Sequence, residues 1–168
     1  MAVPQIFQTI EASGLSTWIR DSPSLLGFWF ILAVHALGMT FLVGGSAVID
    51  LRILGVARDL PLAPLKKLYG IIWAGFWLQA VSGTLLLIAS PTKSLTNLDF
   101  YLKILLIALA VAAMQMLKKR VFGDSSLSDA DRVAKARPLA AWSLIFWAGA
   151  VVAGRLLAYT YTYPSYPG

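Results

Sequence analysis

The chain carries a single histidine, His35, and no cysteine. His35 falls inside Ser24 to Ile49, a stretch without one formally charged residue. About 20 apolar residues cross the hydrocarbon core of a bilayer at 1.5 Å per residue, so this stretch predicts a transmembrane helix with the imidazole near its middle. An ionisable side chain at that depth is costly and marks a functional site by default. His35 lies about ten residues from the outer end of its helix, hence about 15 Å deep. Equal depth on the other expected spans falls near Gln79 or Ala80, near Ala110 and near Val151. Lys103 and Arg155 sit higher, about 5–9 Å from the outer boundary by the same rise.

An imidazole at mid-membrane with cations above it suits haem b. His35 would ligate the iron, with the propionates directed to Arg155, Lys103 and Arg20. Gln79 belongs to the same candidate site by depth. Gly38 follows His35 by about one turn, and Gly44, Gly45, Gly75, Gly83, Gly149 and Gly154 are further small residues that let a flat macrocycle or another helix approach the backbone. Each residue also has a plainer use. His35 could hydrogen-bond Gln79 or a serine and fix helix packing. Lys103 could pair with Asp99 at i, i+4 and snorkel outward. Arg155 needs an anionic partner or water, and Asp21 and Asp99 are the candidates within the protein. The glycines could serve helix packing.

One histidine leaves three arrangements open: an empty sixth position, a Met114 ligand, or a haem shared between two chains. Met114 lies about a turn too deep for the second of these. Copper is a weaker fit to Met39, Met114, Met116 and His35, since Met114 and Met116 point to different helix faces. No Ser–His–Asp set converges at one depth, and no glycine-rich phosphate loop is present. Without cysteine, disulfides, zinc–thiolate sites and iron–sulfur clusters are excluded.

Composition sets the frame for these residues. Of 168 residues, 58% are hydrophobic and 13% charged, and the mean hydropathy is +0.73, whereas a soluble domain carries roughly 25% charge. The expected fold is an all-α, integral membrane bundle of four transmembrane helices, one membrane domain over 1–168. Spans are expected at about 24–49, 68–90, 98–117 and 138–161, joined by loops 50–67 and 118–137.

Asp21-Ser22-Pro23 signals the first start. Pro61 and Pro64 are expected to hold helix out of the first loop. Asn97 or Asp99 would cap the third span. Ser128-Asp129-Ala130-Asp131 resembles a capping box for a short surface helix, after which Pro138 would open the fourth span. Residues Pro4 to Trp18 are expected to form a short interfacial helix with Ile6, Phe7 and Ile10 on one side, and the tyrosine-rich tail an interfacial belt. The N-terminus shows no removable signal, so the first span would direct its own insertion.

Arg20, Lys93 and Lys103 fall on the side of the termini. Arg52, Arg58, Lys66, Lys67, Lys118, Lys119, Arg120, Arg132, Lys135 and Arg137 fall on the other; with Arg155 these account for all 14 basic residues. The positive-inside rule predicts both termini outside the cytoplasm. The net charge of +6 is thereby topological, and nucleic acid is not an expected partner.

The blocks HALGMTFLVGGSAVIDLRILG, TNLDFYLKILLI and GAVVAGRLLAYT resemble a family of short bacterial four-span membrane proteins with no assigned function, a likeness over nearly the whole chain. It implies the bacterial cytoplasmic membrane as location. The His35-Ala36-Leu37-Gly38 segment is also similar to a helix of cytochrome b561-type and copper-resistance-D-type bundles, in which a transmembrane histidine ligates haem b. Those bundles supply several histidines, so a two-haem arrangement is excluded here. The leading expectation is a haem b-binding bundle for electron transfer, or a subunit of a redox complex or homo-oligomer. A cofactor-free transporter, channel or assembly subunit is the alternative. A membrane enzyme acting on lipid or quinone comes third.

Overall fold

The computed structural model describes residues 4–56, 58–123 and 128–160, and within them every regular element is helical. Four helices are long and apolar enough to cross a membrane, which makes this a multi-pass membrane protein. Two short helices come first, α1 (Gln5–Glu11) and α2 (Gly14–Asp21). The first span is α3 (Phe28–Met39), a π-helical turn over Thr40–Gly44, and α4 (Gly45–Leu54). Then come α5 (Leu62–Ala89), a short α6 (Pro91–Leu95), α7 (Leu98–Phe122) and α8 (Asp129–Tyr159).

Local chemistry moves several expected boundaries. The first span starts at Phe28 because Ser22 Oγ accepts from Ser24 N and Ser24 Oγ from Leu26 N. These short side-chain loops compete with the helix. The second span starts six residues earlier than expected. Pro61 is the N-cap of α5, and Pro64 sits in its first turn, where a missing N–H forfeits no intrahelical bond. Loop 2–3, expected without structure, contains α6 with Pro91 at its start.

Asn97, not Asp99, caps α7 by accepting from Asp99 N at 2.9 Å. Ser128 caps α8 as the capping box predicts, at 3.2 Å from Asp131 N. The expected break at Pro138 is absent, and surface helix and fourth span are one helix with Pro138 inside it. Proline cannot donate to the carbonyl four residues back, but Ala134 and Pro138 are both exposed, whereas Ala136 and Ala140 are fully buried. The defect therefore faces outward and the packed face is intact. The tyrosine-rich tail, 161–168, lies outside the described residues.

The spans pair as two antiparallel hairpins. In α3–α5 the crossing is backbone to backbone, since a Cβ on Gly75 would stand 2.7 Å from Leu42 N and 2.9 Å from Gly38 O. In α7–α8, Gly149 faces Leu106 and Gly154 faces Lys103. The hairpins meet chiefly through α4 and α8. That meeting forms the main core, with Leu42, Ile49, Ile53, Tyr69, Ile72, Met114, Leu117 and Trp147. It occupies the half of the bundle toward Arg52, Lys66 and Lys118, called here the basic end.

At the other end a small cluster of Ile19, Ile31 and Ala89 holds α2 against α3 and α5. Arg20 Nη1 and Ser16 Oγ both donate to the Ala89 carbonyl, at 2.9 and 3.1 Å. Glu11 accepts from Thr92 Oγ1 at 2.7 Å and pairs with Arg20 at 3.7 Å. The single expected N-terminal helix is thus two, split at Ala12-Ser13, because Ser13 caps the second by accepting from Ser16 N. Together they clasp the carbonyl end of α5.

Candidate functional site

At the end away from the basic loops the two hairpins part and leave a cavity of about 480 Å³. Its walls are mostly apolar, with Leu32 from α3, Phe76 and Leu87 from α5, Phe100 and Ile104 from α7, and Leu157 from α8. The polar groups on it include His35, Gln79 and Lys103. Three of the five sequence-predicted site residues are therefore brought together.

His35 is held at both ring nitrogens. Gln79 Nε2 lies 2.9 Å from His35 Nε2, and Ser82 Oγ lies 3.0 Å from Nδ1. Ser82 also bonds the Leu78 carbonyl, so its one proton is committed there. One tautomer then satisfies the chain of bonds: the Gln79 amide donates to Nε2, and Nδ1–H donates to Ser82 Oγ. Ser82 is itself buried. Gln79 Oε1 is buried without a partner. Gly83 completes the seat, since a Cβ there would stand 3.1 Å from His35 Cε1.

Lys103 reaches into the same space along α8. A Cβ on Gly154 would stand 3.4 Å from its Cε and 3.5 Å from its Nζ. The expected Asp99 pairing is not formed among the described residues, because Asp99 Oδ2 instead accepts from Thr160 Oγ1 at 2.6 Å. An ammonium among apolar walls at membrane depth calls for an anion.

Two predicted residues lie elsewhere. Arg155 is exposed and stacks over the Tyr159 ring at 5.6 Å. Gly154 and Leu157 present the cavity face of α8, and Arg155 is turned off it by about 100°, one residue of helical rotation. Gly38 is buried at the α3–α5 crossing, where a Cβ would stand 2.8 Å from Gln79 N, so it packs helices and does not touch the cavity. Arg20, the third expected propionate partner, is committed to Ala89 and Glu11. Met114 is in the other half, its Sδ 3.7 Å from Ser46 Oγ, which removes it as a ligand opposite His35. The serine expected to meet His35 was not located by number; it is Ser82, whose position three residues after Gln79 puts both on one helix face.

Among the described residues, no group of three or more His, Asp or Glu side chains gathers to hold a metal ion. Comparison with protein-family models, curated proteins and solved structures returns no match.

The residues fit a haem in part. Nδ1–H bonded to a hydroxyl is the arrangement that orients a metal-binding imidazole and leaves Nε2 as the donor atom. Gln79 occupies the approach to that atom and would have to turn away. Lys103 could take one propionate, and no second cation lies among the described residues lining the cavity.

Proposed function

We propose that the protein binds one haem b per chain in this cavity, through His35 Nε2, with Lys103 taking a propionate. The observation that carries the reading is an imidazole with Ser82 at its Nδ1, beside an apolar cavity with one lysine at its wall. A bound haem would be held by His35 and Lys103 and would supply redox chemistry, for electron transfer alone or as a subunit of a redox complex. Gln79 Oε1 gains a use when the side chain turns, as a polar neighbour to the occupied site.

We further infer that the basic end faces the cytoplasm of a bacterium and both termini face outward, with α1 and α2 at the interface. The lysine and arginine asymmetry supports this. Because the chain has no cysteine, single cysteines at Asp59 and Ser94 can be labelled with a membrane-impermeant maleimide on intact cells. Ser94 is expected to react and Asp59 not; the reverse pattern inverts the topology.

Purified protein is expected to show a Soret band that His35→Ala removes. A colourless, folded preparation grown with excess haem sinks the reading. About half a haem per chain would mean a haem shared by two imidazoles in a homo-oligomer. One observation favours a second reading: both His35 nitrogens are already bonded. In that case the bundle is a cofactor-free transporter, channel or assembly subunit, and Lys103→Gln is expected to alter flux without any spectral trace.

A further inference from the structure

A second polar cluster lies in the other half of the first span, apart from the His35 cavity. Asp50 of α4 is 1% exposed, Tyr69 of α5 is 3% exposed and Ser143 of α8 is 0% exposed. Ser143 stands against the Asp50 carboxyl, and Tyr69 lies within its electrostatic reach. Asp50 Oδ2, Tyr69 Oη and Ser143 Oγ are all buried without a hydrogen-bond partner. Such groups are rare in folded proteins, and each one asks for an explanation.

The charged neighbours do not supply one. Asp50 forms no ion pair among the described residues. Arg52, on the same helix, donates to the Leu60 carbonyl. Arg132 of α8 donates to the Val121 carbonyl. Lys118 of α7 sits over the Tyr69 ring, 5.3 Å from its centroid. A carboxylate buried without a paired cation neutralises rather than bear the desolvation cost. These three residues line neither the His35 cavity nor the one beside Arg52.

We propose that Asp50, Tyr69 and Ser143 form a proton-binding site, with Asp50 held as the neutral carboxylic acid at neutral pH. A protonated carboxyl carries one O–H donor and keeps an acceptor oxygen. It can donate to Ser143 Oγ while accepting from Tyr69, which satisfies the three stranded groups together after small side-chain shifts. Losing the proton to solvent leaves a carboxylate, and Lys118 over the Tyr69 ring is a cation on the neighbouring helix. The bundle then holds a titrating acid on the opposite half of the same span from His35, fifteen residues or about 22 Å along the axis. The inference stands whether or not haem binds.

Infrared spectroscopy of the full-length protein in detergent tests it. The wild type at neutral pH is expected to show the carbonyl stretch of a protonated carboxylic acid. The band should shift in D₂O, disappear reversibly as the pH is raised, vanish in Asp50→Asn, and move in Tyr69→Phe and Ser143→Ala. Absence of the band from folded wild type, or its persistence in Asp50→Asn, overturns the proposal. A band that survives raised pH until the protein unfolds overturns exchange. Should Asp50→Asn fail to fold, Tyr69→Phe and Ser143→Ala decide alone, and a band unmoved in both overturns the shared site.

Discussion

The two halves of this bundle solve opposite problems. Around His35 both ring nitrogens are bonded and a cavity adjoins them; around Asp50 a carboxyl, a phenol and a hydroxyl oxygen are buried without partners. A bonded network beside a cavity leaves room for a large, mostly apolar guest and keeps the imidazole oriented before it arrives. Stranded oxygens in a buried core are answered by a proton, which supplies the missing donor. The same four helices produce both, because α4 and α8 close on one another at the basic end while the hairpins part at the other.

Core truncation gives the sharpest test of that contrast. Trp147, 2% exposed in the packed half, is expected on mutation to alanine to cost about 3–5 kcal/mol, the usual range for emptying an aromatic site in a core. Leu87→Ala on the cavity wall should cost under about 1 kcal/mol, since space already adjoins it. Denaturant unfolding in detergent compares them, and equal losses would mean that the two halves are packed alike.

The helix crossing comes next. Gly75→Leu places its side chain against Leu42 N and Gly38 O and is expected to destabilise by about 1–3 kcal/mol through overpacking, read as a lowered thermal midpoint. Gly44→Leu meets open space and should leave that midpoint nearly unchanged.

Ser82→Ala strips the acceptor from His35 Nδ1–H. A buried donor left unmatched costs about 1–3 kcal/mol, and the ring is freed to turn. If haem binds, loss of affinity beyond the loss of stability identifies Ser82 as a positioning residue; equal shifts in both would assign it to packing alone. The smallest effect belongs to Arg155→Ala, expected within about 0.5 kcal/mol of wild type in stability because the side chain is exposed. It should leave any haem spectrum unchanged, whereas Lys103→Met should weaken haem retention. A spectral change in Arg155→Ala larger than that of Lys103→Met would restore the original assignment of the propionates.

Much of the fold was legible because apolar runs and charge breaks are one-dimensional signals. Four spans follow from hydropathy alone, and the pairing of His35 with Gln79 follows from matching depth. Depth does not fix azimuth, however. Arg155 has a suitable height and the wrong face, while Gly154 beside it has the right one. The prolines misled for a related reason: Pro64 and Pro138 were read as breaks, yet one falls where no donor is needed and the other where the face is outward. Asp50 and Arg52 are close in sequence and do not pair among the described residues. Two residues apart on a helix, the two side chains diverge; Arg52 bonds the Leu60 carbonyl while Asp50 is buried against Ser143.

The clasp at the other end has a consequence in time. Glu11 is separated from its partner Thr92 by 81 positions, and Ser16 from the Ala89 carbonyl by 73. At a synthesis rate of 5–20 residues per second, α1 and α2 wait about 4–16 s before their docking surface exists. By then the first two spans have been made. The earliest helices of the chain are thus late to settle, and their arrival closes the α3–α5 hairpin rather than starting it.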